Sequence, residues 1–505
     1  MNHLQDTRVL VLGLGASGLA MARWCAHHGA QVTVVDTREA PPELATLKSE
    51  HPKVDFVHAE FSASLVEGTD IRAVFKSPGL TPAQVAPVIL AARSTGIWIS
   101  GELGLFMQGL QSLKDTQAYA PELLAITGTN GKTTVTSLTG QLVERAGKTV
   151  AVAGNIGPTL LDTLAGHIQA QTLPQVWVLE LSSFQLDELD GFNATMATVL
   201  NLTQDHLDWH GDMAAYGAAK ARIFGAHSTG APPMLLNRDD PAVMAMVPPT
   251  VKGKSQRDYI TFGTEAPTRP GDWGLESVNG MTWLVKAMEA DETRRRRKDD
   301  IEEIYIQRLM PADALRIRGK HNAANALAAL ALANATGCQL APMLYGLREY
   351  RGEPHRVESV GIVNDIEFFD DSKGTNVGAT VAALTGLGSE RKLVIILGGQ
   401  GKGQDFTPLA APVARYTRAA VLIGADAKAI EQALEGSGAV CVHAADMDLA
   451  VQLACAHAQA GDAVLLSPAC ASFDMFKNYP HRAQVFRHAV AGVAQAAGAA
   501  LTEGA

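Results

Sequence analysis

Residues 127–134 form the part of this sequence with the clearest chemical implication. They read Thr-Gly-Thr-Asn-Gly-Lys-Thr-Thr and follow the apolar run Leu123–Thr127 directly. Glycines let consecutive backbone N–H groups turn inward, and the N-terminal end of a following helix favours an anion. Lys132 would reach the terminal phosphates of a nucleotide, and Thr133 would offer a hydroxyl to Mg²⁺. The segment therefore predicts an ATP-binding loop, although the first glycine of the full P-loop pattern falls at Ile126.

A second glycine turn, Gly-Leu-Gly-Ala-Ser-Gly at 13–18, follows the strand-like run Arg8–Leu12. Asp36 ends the next strand-like run, where a carboxylate would suit a ribose hydroxyl. Taken literally, this pattern predicts an NAD-dependent oxidoreductase. Another diphosphate carrier, such as a UDP-sugar, would fit the same turn, and a tight turn that holds no ligand is the plain structural alternative.

Polar residues follow further apolar runs in the middle of the chain. Glu180 comes after the run Gln175–Leu179, and a carboxylate at this end of a parallel strand is well placed to hold Mg²⁺. His206, in the polar stretch 201–208, could bind a metal or a substrate, or could be an ordinary loop residue. Lys220 looks like an exposed helix lysine.

Polar groups also occur on a helix and in three loops of the second half of the chain. Asn322 and Asn325 share one face of an Ala-rich helix and could hold an adenine ring, whereas helix capping would explain at most one of them. Three loops come after later apolar runs. Lys373, Lys402 and Ser472 in these loops would suit a small dicarboxylate.

Parallel strands alternating with helices are needed to bring these loops together. Such alternation predicts an α/β fold of three domains with mainly parallel sheets. We expect a Rossmann-like domain at 1–101, a P-loop-type mononucleotide-binding domain at 102–352 and a second Rossmann-like domain at 353–505. The clearest expected strands are Arg8–Leu12, Gln31–Val35, Ala73–Lys76, Ile97–Ile99, Leu123–Thr127, Thr149–Ala153, Gln175–Leu181, Ala197–Leu202, Ile366–Phe369, Leu393–Leu397, Ala420–Ile423 and Ala463–Ser467; the helix Asn322–Ala335 is expected to close the central domain.

Composition narrows the class of protein. The 505 residues carry a formal net charge of -10, which argues against nucleic-acid binding. The five cysteines show no paired metal spacing, and neither a signal peptide nor a membrane span is evident, so we expect a cytoplasmic protein. The charged segment near 293–308 is expected to be a solvated insertion, with no function assigned.

These motifs together resemble the Mur ligase family over nearly the whole chain. The ATP-like loop, Glu180, residues 205–208, Lys220 and the His-Asn-x-x-Asn helix at 321–325 match its ATP and metal signature, as does His355-Arg356. Residues 181–186, 371–376 and 467–474 resemble the branch that adds D-glutamate to UDP-N-acetylmuramoyl-L-alanine. The resemblance implies an acyl phosphate mechanism in peptidoglycan precursor synthesis, with ATP and two Mg²⁺ ions as cofactors and a monomeric enzyme.

The resemblance also implies roles for individual residues. ATP contacts would come from Gly128, Thr129, Asn130, Gly131, Lys132, Thr133, Thr134, Asn322, Asn325, Arg356 and Asp371. Metal ligands would be Thr133, Glu180, His206 and Lys220, the last as a carbamate. The UDP part would meet Gly15, Ser17, Asp36, Thr37 and Ser77, and the muramoyl part would meet Asn155, Ser182 and Gln185. D-glutamate would meet Lys373, Thr375, Lys402, Ser472 and Phe473.

Three other functions compete with this interpretation. Another Mur-type ligase would add a different amino acid, or glutamates to folate. An oxidoreductase would use the turn at 13–18 with NAD and show a nicotinamide-dependent absorbance change. A nucleotide-binding regulator would not turn ATP over.

Overall fold

A computed structural model describes residues 3–187, 189, 191–225, 231–249, 257–290, 303–389, 391–499 and 501–502. Most of the charged segment predicted to be an insertion, residues 293–302, lies outside the described residues; its end belongs to a strand. No helix within the described ranges combines the length and the apolar character that crossing a membrane requires.

The N-terminal domain is a parallel five-stranded sheet in the order β3-β2-β1-β4-β5. Because β1 lies between β2 and β4, the loops after β1 and β4 meet at one edge, the usual ligand position in such sheets. The elements are β1 (Arg8–Leu12), α1 (Ala16–His27), β2 (Gln31–Asp36), α2 (Leu44–Glu50), β3 (Asp55–His58), a 3₁₀ turn (Ala63–Leu65), β4 (Ala73–Lys76), α3 (Pro82–Ser94) and β5 (Trp98–Ser100).

The central domain is built on a parallel six-stranded sheet in the order β11-β10-β9-β6-β8-β7. Strands β6 and β8 are neighbours, so the loop after β6 lies beside the end of β8. The elements are α4 (Glu102–Gln117), β6 (Glu122–Thr127), α5 (Lys132–Arg145), β7 (Val150–Gly154), α6 (Leu160–Ala170), β8 (Val176–Glu180), α7 (Ser183–Leu186), β9 (Met196–Val199), α8 (Leu207–His210), α9 (Met213–Ala221), a 3₁₀ turn (Arg222–Phe224), β10 (Met234–Asn237), α10 (Pro241–Met244) and β11 (Tyr259–Phe262).

Two features of the central domain differ from the sequence-based expectation. An antiparallel three-stranded sheet follows β11, and a further helix follows the Ala-rich one, so that helix does not close the domain. Gly337, at φ +77°, allows the chain to turn between the two helices. The added elements are β12 (Trp273–Val278), β13 (Met281–Glu289), β14 (Ile304–Pro311), a 3₁₀ turn (Ala312–Ala314), α11 (Lys320–Ala335) and α12 (Leu340–Glu349).

The C-terminal domain carries a six-stranded sheet in the order β15-β16-β20-β17-β18-β19. Only the edge pair β15 and β16 is antiparallel among its described strand pairs. The elements are β15 (Glu358–Val363), β16 (Ile366–Asp370), α13 (Val377–Gly388), β17 (Leu393–Gly398), a 3₁₀ turn (Thr407–Leu409), α14 (Ala410–Tyr416), β18 (Thr417–Ile423), α15 (Ala427–Leu434), β19 (Val440–His443), α16 (Met447–His457), β20 (Ala463–Leu466) and α17 (Tyr479–Ala496).

The cores follow from covered parallel sheets. Strands β8 and β17 are buried at every position, as expected when helices cover both faces. The Ala-rich α11 packs against α5, and its small side chains let the two helices approach closely. The expected strands are all present with ends shifted by a few residues; for example, β5 begins at Trp98 rather than Ile97.

Candidate active site

The loop between β6 and α5 has the backbone that a phosphate cradle needs. Gly128 has φ +154° and Gly131 has φ +82°, a region that side chains other than glycine rarely adopt. A Cβ on Gly128 would also lie 3.0 Å from Leu200 Cβ. Both glycines are therefore required by the turn itself, whether or not a phosphate is bound.

The loop is held by the segment that follows β9. Thr129 N donates to Asn201 O at 3.0 Å, and the Thr129 hydroxyl donates to Thr203 O at 3.1 Å. Asn130 N donates to Asn201 Oδ1 at 2.8 Å, and Asn201 Nδ2 donates back to Asn130 O at 3.0 Å. Asn201 and Thr203 were not among the predicted site residues, because only the pairing of β6 with β9 brings them to the loop.

Lys132 folds back over the loop. Its Nζ donates to Gly128 O and Thr129 O, both at 2.9 Å. Burial lowers the pKa of Lys132, and the Glu180 carboxylate opposes that shift. A lysine on a glycine loop at the start of a helix suits the binding of a terminal phosphate.

Lys220 is buried, contrary to the expectation of an exposed helix lysine, with a relative exposure of 1%. Its Nζ donates to Gly128 O at 2.8 Å and lies 4.6 Å from the centre of the Tyr216 ring. Burial lowers its pKa well below the ordinary value, and the neighbouring Lys132 adds to the effect. The amine is therefore biased towards its neutral, nucleophilic form.

Glu180 ends β8 beside the loop and is 2% exposed. Its Oε1 accepts from Asn155 Nδ2 at 2.8 Å, while Oε2 is buried without a hydrogen-bond partner among the described residues. A buried, unpaired carboxylate oxygen is costly unless a cation or donor meets it. Oxygen donors suit Mg²⁺, so the donor set fits that ion.

His206 immediately precedes α8. Its backbone is left-handed, with φ +53°, and its Nε2 is 3.6 Å from Asp205 Oδ2. The Phe184 ring packs edge-on against it at 4.7 Å. Burial lowers the pKa of His206, which favours the neutral imidazole that a metal ion needs. The Asp205 carboxylate also acts to raise the pKa of Lys220, so the charge of Asp205 reaches the Lys220 amine.

The C-terminal domain reaches the loop through Arg356. Its Nη2 donates to the Thr133 hydroxyl at 2.6 Å. Asp371 is buried and accepts from the Ser467 hydroxyl at 2.6 Å. Burial raises the pKa of Asp371 to about 7, while Ser467 and Arg356 oppose the shift. The neighbouring Asp370 points elsewhere and pairs with His355 Nδ1 at 2.8 Å.

The residues predicted to meet an amino acid are spread over three loops. Lys373 places its Nζ 4.4 Å from the centre of the Tyr479 ring, and Ser472 is buried. Phe473, by contrast, is 66% exposed, and Lys402 is exposed with φ +54°. Thr375 is partly buried. Tyr479 was not among the predicted residues, and nothing in its sequence context distinguishes it from a helix N-terminal residue.

Arg482 links two of these loops through hydrogen bonds to their backbone. It is fully buried, and its guanidinium donates to Ser372 O at 2.8 Å and to Cys470 O at 3.0 Å. Burial lowers the pKa of Arg482 to about 10. The arginine thus holds the loop after β16 against the loop after β20.

The glycine turn after β1 is fixed by Asp36. The carboxylate accepts from Leu14 N at 2.7 Å and from Arg38 Nη2 at 2.7 Å. Burial would raise the pKa of Asp36, but these donors outweigh it and hold the pKa at about 2. The Ser77 hydroxyl donates to Gly13 O at 2.9 Å. Two of the predicted UDP contacts, Asp36 and Ser77, therefore also shape the turn.

The remaining predicted UDP contacts line the same edge. A Cβ on Gly15 would meet nothing within 4 Å, so the backbone there is open to a ligand. Ser17 lies beside the buried Glu102 and stabilises its carboxylate; burial is the larger effect and raises the pKa of Glu102. Thr37 is partly buried, and its carbonyl oxygen is 3.2 Å from His58 Nε2.

A narrow cleft separates the N-terminal and central domains, and Gln185 lines it. Ser182 and Gln185 form a capping box: Gln185 N donates to Ser182 Oγ at 3.2 Å, and Ser182 N donates to Gln185 Oε1 at 3.0 Å. Lys76 and Asp187 face each other across the cleft at 3.9 Å. The capping box uses Gln185 Oε1, so its amide Nε2 is the group that could serve a ligand.

The two asparagines of α11 lie next to the ATP-type loop. Asn325 Nδ2 donates to Asn322 Oδ1 at 3.1 Å, and Asn322 Nδ2 donates to Arg318 O at 2.9 Å. A Cβ on Gly131 would lie 2.8 Å from Asn325 Oδ1. The helix itself is capped by the backbone of Gly319, so neither asparagine serves as its cap.

Comparison with known proteins identifies the family. Three family models match: Mur ligase MurD-like, N-terminal domain at 7–101; Mur ligase middle domain at 126–333; and Mur ligase, glutamate ligase domain at 355–470. The UDP-N-acetylmuramoylalanine–D-glutamate ligase of Albidiferax ferrireducens is 67% identical over 504 residues, covering 99% of both chains. The chain belongs to the Mur ligase family.

Other Mur ligases agree with this assignment. The protein of the same name from Ralstonia nicotianae is 57% identical over 505 residues, covering 98% of both chains. Among solved structures, MurF from Acinetobacter baumannii has a TM-score of 0.57 at 16% identity, covering 96% of this chain and 92% of that one. UDP-N-acetylmuramate-alanine ligase from Thermotoga maritima has a TM-score of 0.54 at 18% identity, covering 97% and 100%. These structures establish the shared three-domain α/β fold.

Membership of the Mur ligase family excludes two of the three alternatives from the sequence, and the names of the 67% and 57% identical relatives favour D-glutamate over another amino acid. A nicotinamide-dependent oxidoreductase does not fit the family, and neither does a regulator without chemistry. The dinucleotide-like turn after β1 therefore belongs to a ligase domain, and the roles of individual site residues stay predictions.

Proposed function

We propose that this protein is an ATP-dependent ligase that adds D-glutamate to UDP-N-acetylmuramoyl-L-alanine, forming ADP, phosphate and an amide in peptidoglycan precursor synthesis. The observation that carries the proposal is full-length identity of 67% to a relative of that name. The loop after β6, Glu180 and the C-terminal loops supply the chemistry that such a reaction needs.

The first step would be phosphoryl transfer to the substrate carboxylate. The loop amides and Lys132 would hold the terminal phosphates of ATP, and Arg356 would approach them from the C-terminal domain through its contact with Thr133. The carboxylate oxygen attacks the γ-phosphorus and ADP leaves, which gives an acyl phosphate. Positioning and charge neutralisation account for the catalysis, since the loose transition state needs little covalent help.

The second step would be acyl transfer to the amine of D-glutamate. The amine attacks the acyl carbon, and the tetrahedral intermediate collapses to an amide and inorganic phosphate. Lys373, Thr375, Lys402 and Ser472 are the proposed contacts for the amino acid's carboxylates. Phe473, which is mostly exposed, stays a proposed contact, and we propose Tyr479, which packs on Lys373, as a further aromatic neighbour.

Two Mg²⁺ ions are the proposed cofactors: the Thr133 hydroxyl would meet one, and Glu180 and His206 would hold the second. The fit rests on the unpaired, buried Oε2 of Glu180. When bound, the ion would neutralise charge on the phosphate oxygens of ATP. The carbamate form of Lys220 is proposed beside the same ion as Glu180 and His206.

Lys220 should carry a carbamate. Its buried amine has a pKa well below the ordinary value, so a neutral nitrogen is available to attack CO₂. Carbon-13 NMR of protein equilibrated with ¹³C-bicarbonate should show a carbamate resonance that Lys220→Ala lacks. Lys48→Ala, a change in a helix of the N-terminal domain, should retain it. A wild-type spectrum without this resonance would contradict the assignment.

The reaction is tested by phosphate release from Mg-ATP with UDP-N-acetylmuramoyl-L-alanine, with and without D-glutamate. Release should need both substrates, ignore L-glutamate and be unaffected by NAD. Turnover only with a different amino acid would mean that the chain is a Mur ligase with another amino-acid substrate. No ATP turnover with any pairing would reject the proposal.

The domain boundaries 1–101, 102–352 and 353–505 are part of the proposal. The matched ranges 7–101, 126–333 and 355–470 each lie inside one proposed domain. The segments outside those ranges, which include α4, α12 and α17, are assigned to the domains by the proposal alone. A monomeric enzyme in the cytoplasm completes the proposal.

A further inference from the structure

Helix α13 of the C-terminal domain begins at a residue that also contacts the central domain. Asn376 is the N-cap: its Oδ1 accepts from Ala379 N at 2.9 Å. The same side chain exchanges hydrogen bonds with Asn130 of the ATP-type loop. Asn376 Nδ2 donates to Asn130 Oδ1 at 3.1 Å, and Asn130 Nδ2 donates to Asn376 Oδ1 at 3.2 Å.

The surroundings make this amide pair specific. Asn376 is 8% exposed, and its Nδ2 also lies 3.5 Å from Asp205 Oδ2. Asn130 is itself fixed through its backbone by Asn201. Asn376 directly follows Thr375, one of the proposed amino-acid contacts. One side chain thus joins the nucleotide loop to the loop that would hold the second substrate.

Two glycines of α13 face the central domain as well. A Cβ on Gly378 would lie 2.6 Å from Thr203 Oγ1. A Cβ on Gly386 would lie 2.4 Å from His321 Nδ1. Real Cβ atoms do not approach other atoms that closely, so a side chain at either position would force Thr203, His321 or the contact between the domains to shift.

We infer that Asn376 is a positioning residue which, through its reciprocal hydrogen bonds with Asn130, couples the ATP loop to the amino-acid loop. The glycine face of α13 allows the approach, and the amide pair fixes its register. The inference rests on the proposed function for its substrate, D-glutamate, but not for the contact itself. Nothing in the residue's type alone would separate this role from helix capping.

Asn376→Ser separates the two roles, because serine caps a helix well but cannot reach Asn130. The variant should keep the Tm of wild type. Its Kd for the non-hydrolysable ATP analogue AMP-PNP, with Mg²⁺ present, should stay within about twofold of wild type, because the nucleotide loop itself is unchanged. The KM for D-glutamate should rise about tenfold through loss of two hydrogen bonds between the domains. Asp446→Ser, an exposed N-cap change on α16, is the matched control and should leave all three values unchanged.

Two outcomes would overturn the inference. An unchanged KM for D-glutamate in Asn376→Ser would mean that the amide pair positions nothing. Equal losses of Tm, nucleotide affinity and KM would mean that the residue is only structural. If wild-type protein were inactive with D-glutamate, the proposed function would be rejected. The contact between Asn376 and Asn130 would then be tested by the radius of gyration of the full chain. X-ray scattering should give a larger radius for Asn376→Ser than for wild type, and equal radii would refute the coupling.

Gly386→Ala tests the same contact by a steric route. Alanine favours a helix interior, so the helix should be as stable as before or more so. The Cβ should nevertheless hold the domains apart and raise the KM for D-glutamate about tenfold or more. Gly492→Ala is the control, since a Cβ there meets nothing within 4 Å. Normal KM values in both variants would show that the domains do not need this approach.

Discussion

At the scale of single residues, burial sets the chemistry of the site. Lys132 and Lys220 are cations whose pKa values burial lowers, and Asp371 is an acid whose pKa burial raises. Each lies where a phosphate, a metal ion or Arg356 would compensate the cost of burial. Perturbed groups that converge on one loop are typical of a functional site rather than of a packed core.

Asp371 should make stability depend on pH. Its folded-state pKa of about 7 lies above its ordinary value of 3.8, so the folded protein binds more protons than the unfolded chain between these values. Stability contributed by the protonated carboxyl is therefore lost as pH rises towards and through about 7. Asp371→Asn should gain Tm relative to wild type as pH rises from about 5 to 8.

Calorimetric Tm values at several pH values would measure that difference. Asp55→Asn, at an exposed position of β3, is the control and should track wild type throughout. A Tm difference between Asp371→Asn and wild type that is constant with pH would show that the buried carboxyl does not take up a proton on folding.

At the scale of elements, the turn after β1 shows how one motif serves structure and binding at different positions. A Cβ on Gly18 would lie 2.0 Å from Gly13 O, so this glycine allows α1 to pack against the turn. Gly15 has open space around it and needs no glycine for packing. The spacing of glycines in the sequence does not distinguish these two reasons.

Gly18→Ala and Gly15→Ala should therefore fail in different ways. Gly18→Ala should cost about 1–3 kcal/mol of unfolding free energy through overpacking. Gly15→Ala should leave the unfolding free energy nearly unchanged and weaken binding of the UDP substrate, because its Cβ occupies the ligand's side of the turn. Urea unfolding and calorimetric titration with UDP would measure the two effects. Equal destabilisation by both would contradict the assignment.

At the scale of the whole molecule, the domains meet through polar contacts at the site. Arg356 contacts Thr133, and Asn376 contacts Asn130, so the C-terminal domain touches the loop that would hold ATP. On the other side, Arg23 of α1 is 3.3 Å from Asp162 of α6. A nucleotide bound at the loop would therefore be shared by two domains.

Bound nucleotide should therefore make the central and C-terminal domains unfold together. All six tryptophans lie before residue 353, so their fluorescence reports on the first two domains and circular dichroism on the whole chain. In wild type, Mg-AMP-PNP should bring the Tm measured by fluorescence and the Tm measured by circular dichroism together. The reason is that a ligand bound by both domains stabilises both of them. Arg356→Ala should abolish that convergence, whereas Arg351→Ala in the same linker should preserve it. Convergence in both variants would exclude Arg356 as the bridge.

Strand–helix alternation was sufficient to predict the three α/β domains, and each expected strand is present within a few residues. The antiparallel sheet β12–β14 and α12 were missed, since β13 and β14 are largely half-buried and lack a continuous apolar run, and a helix after a glycine carries a weak pattern. The family resemblance implies Phe473 as a contact for D-glutamate; its side chain is 66% exposed in the structure, and the role stays a prediction. Tyr479 entered the site only through its packing on Lys373.

The sequence by itself determined the family, the fold class and the chemistry of the nucleotide loop, because these depend on local patterns of glycine, lysine and apolar residues. Only the tertiary structure decided that Lys220 is buried, that Glu180 keeps an unpaired oxygen, and that Asn376 meets Asn130. The physical reason is that burial and contact between residues 246 positions apart arise from packing of sheets and domains. Local sequence does not encode which side chains such packing brings together.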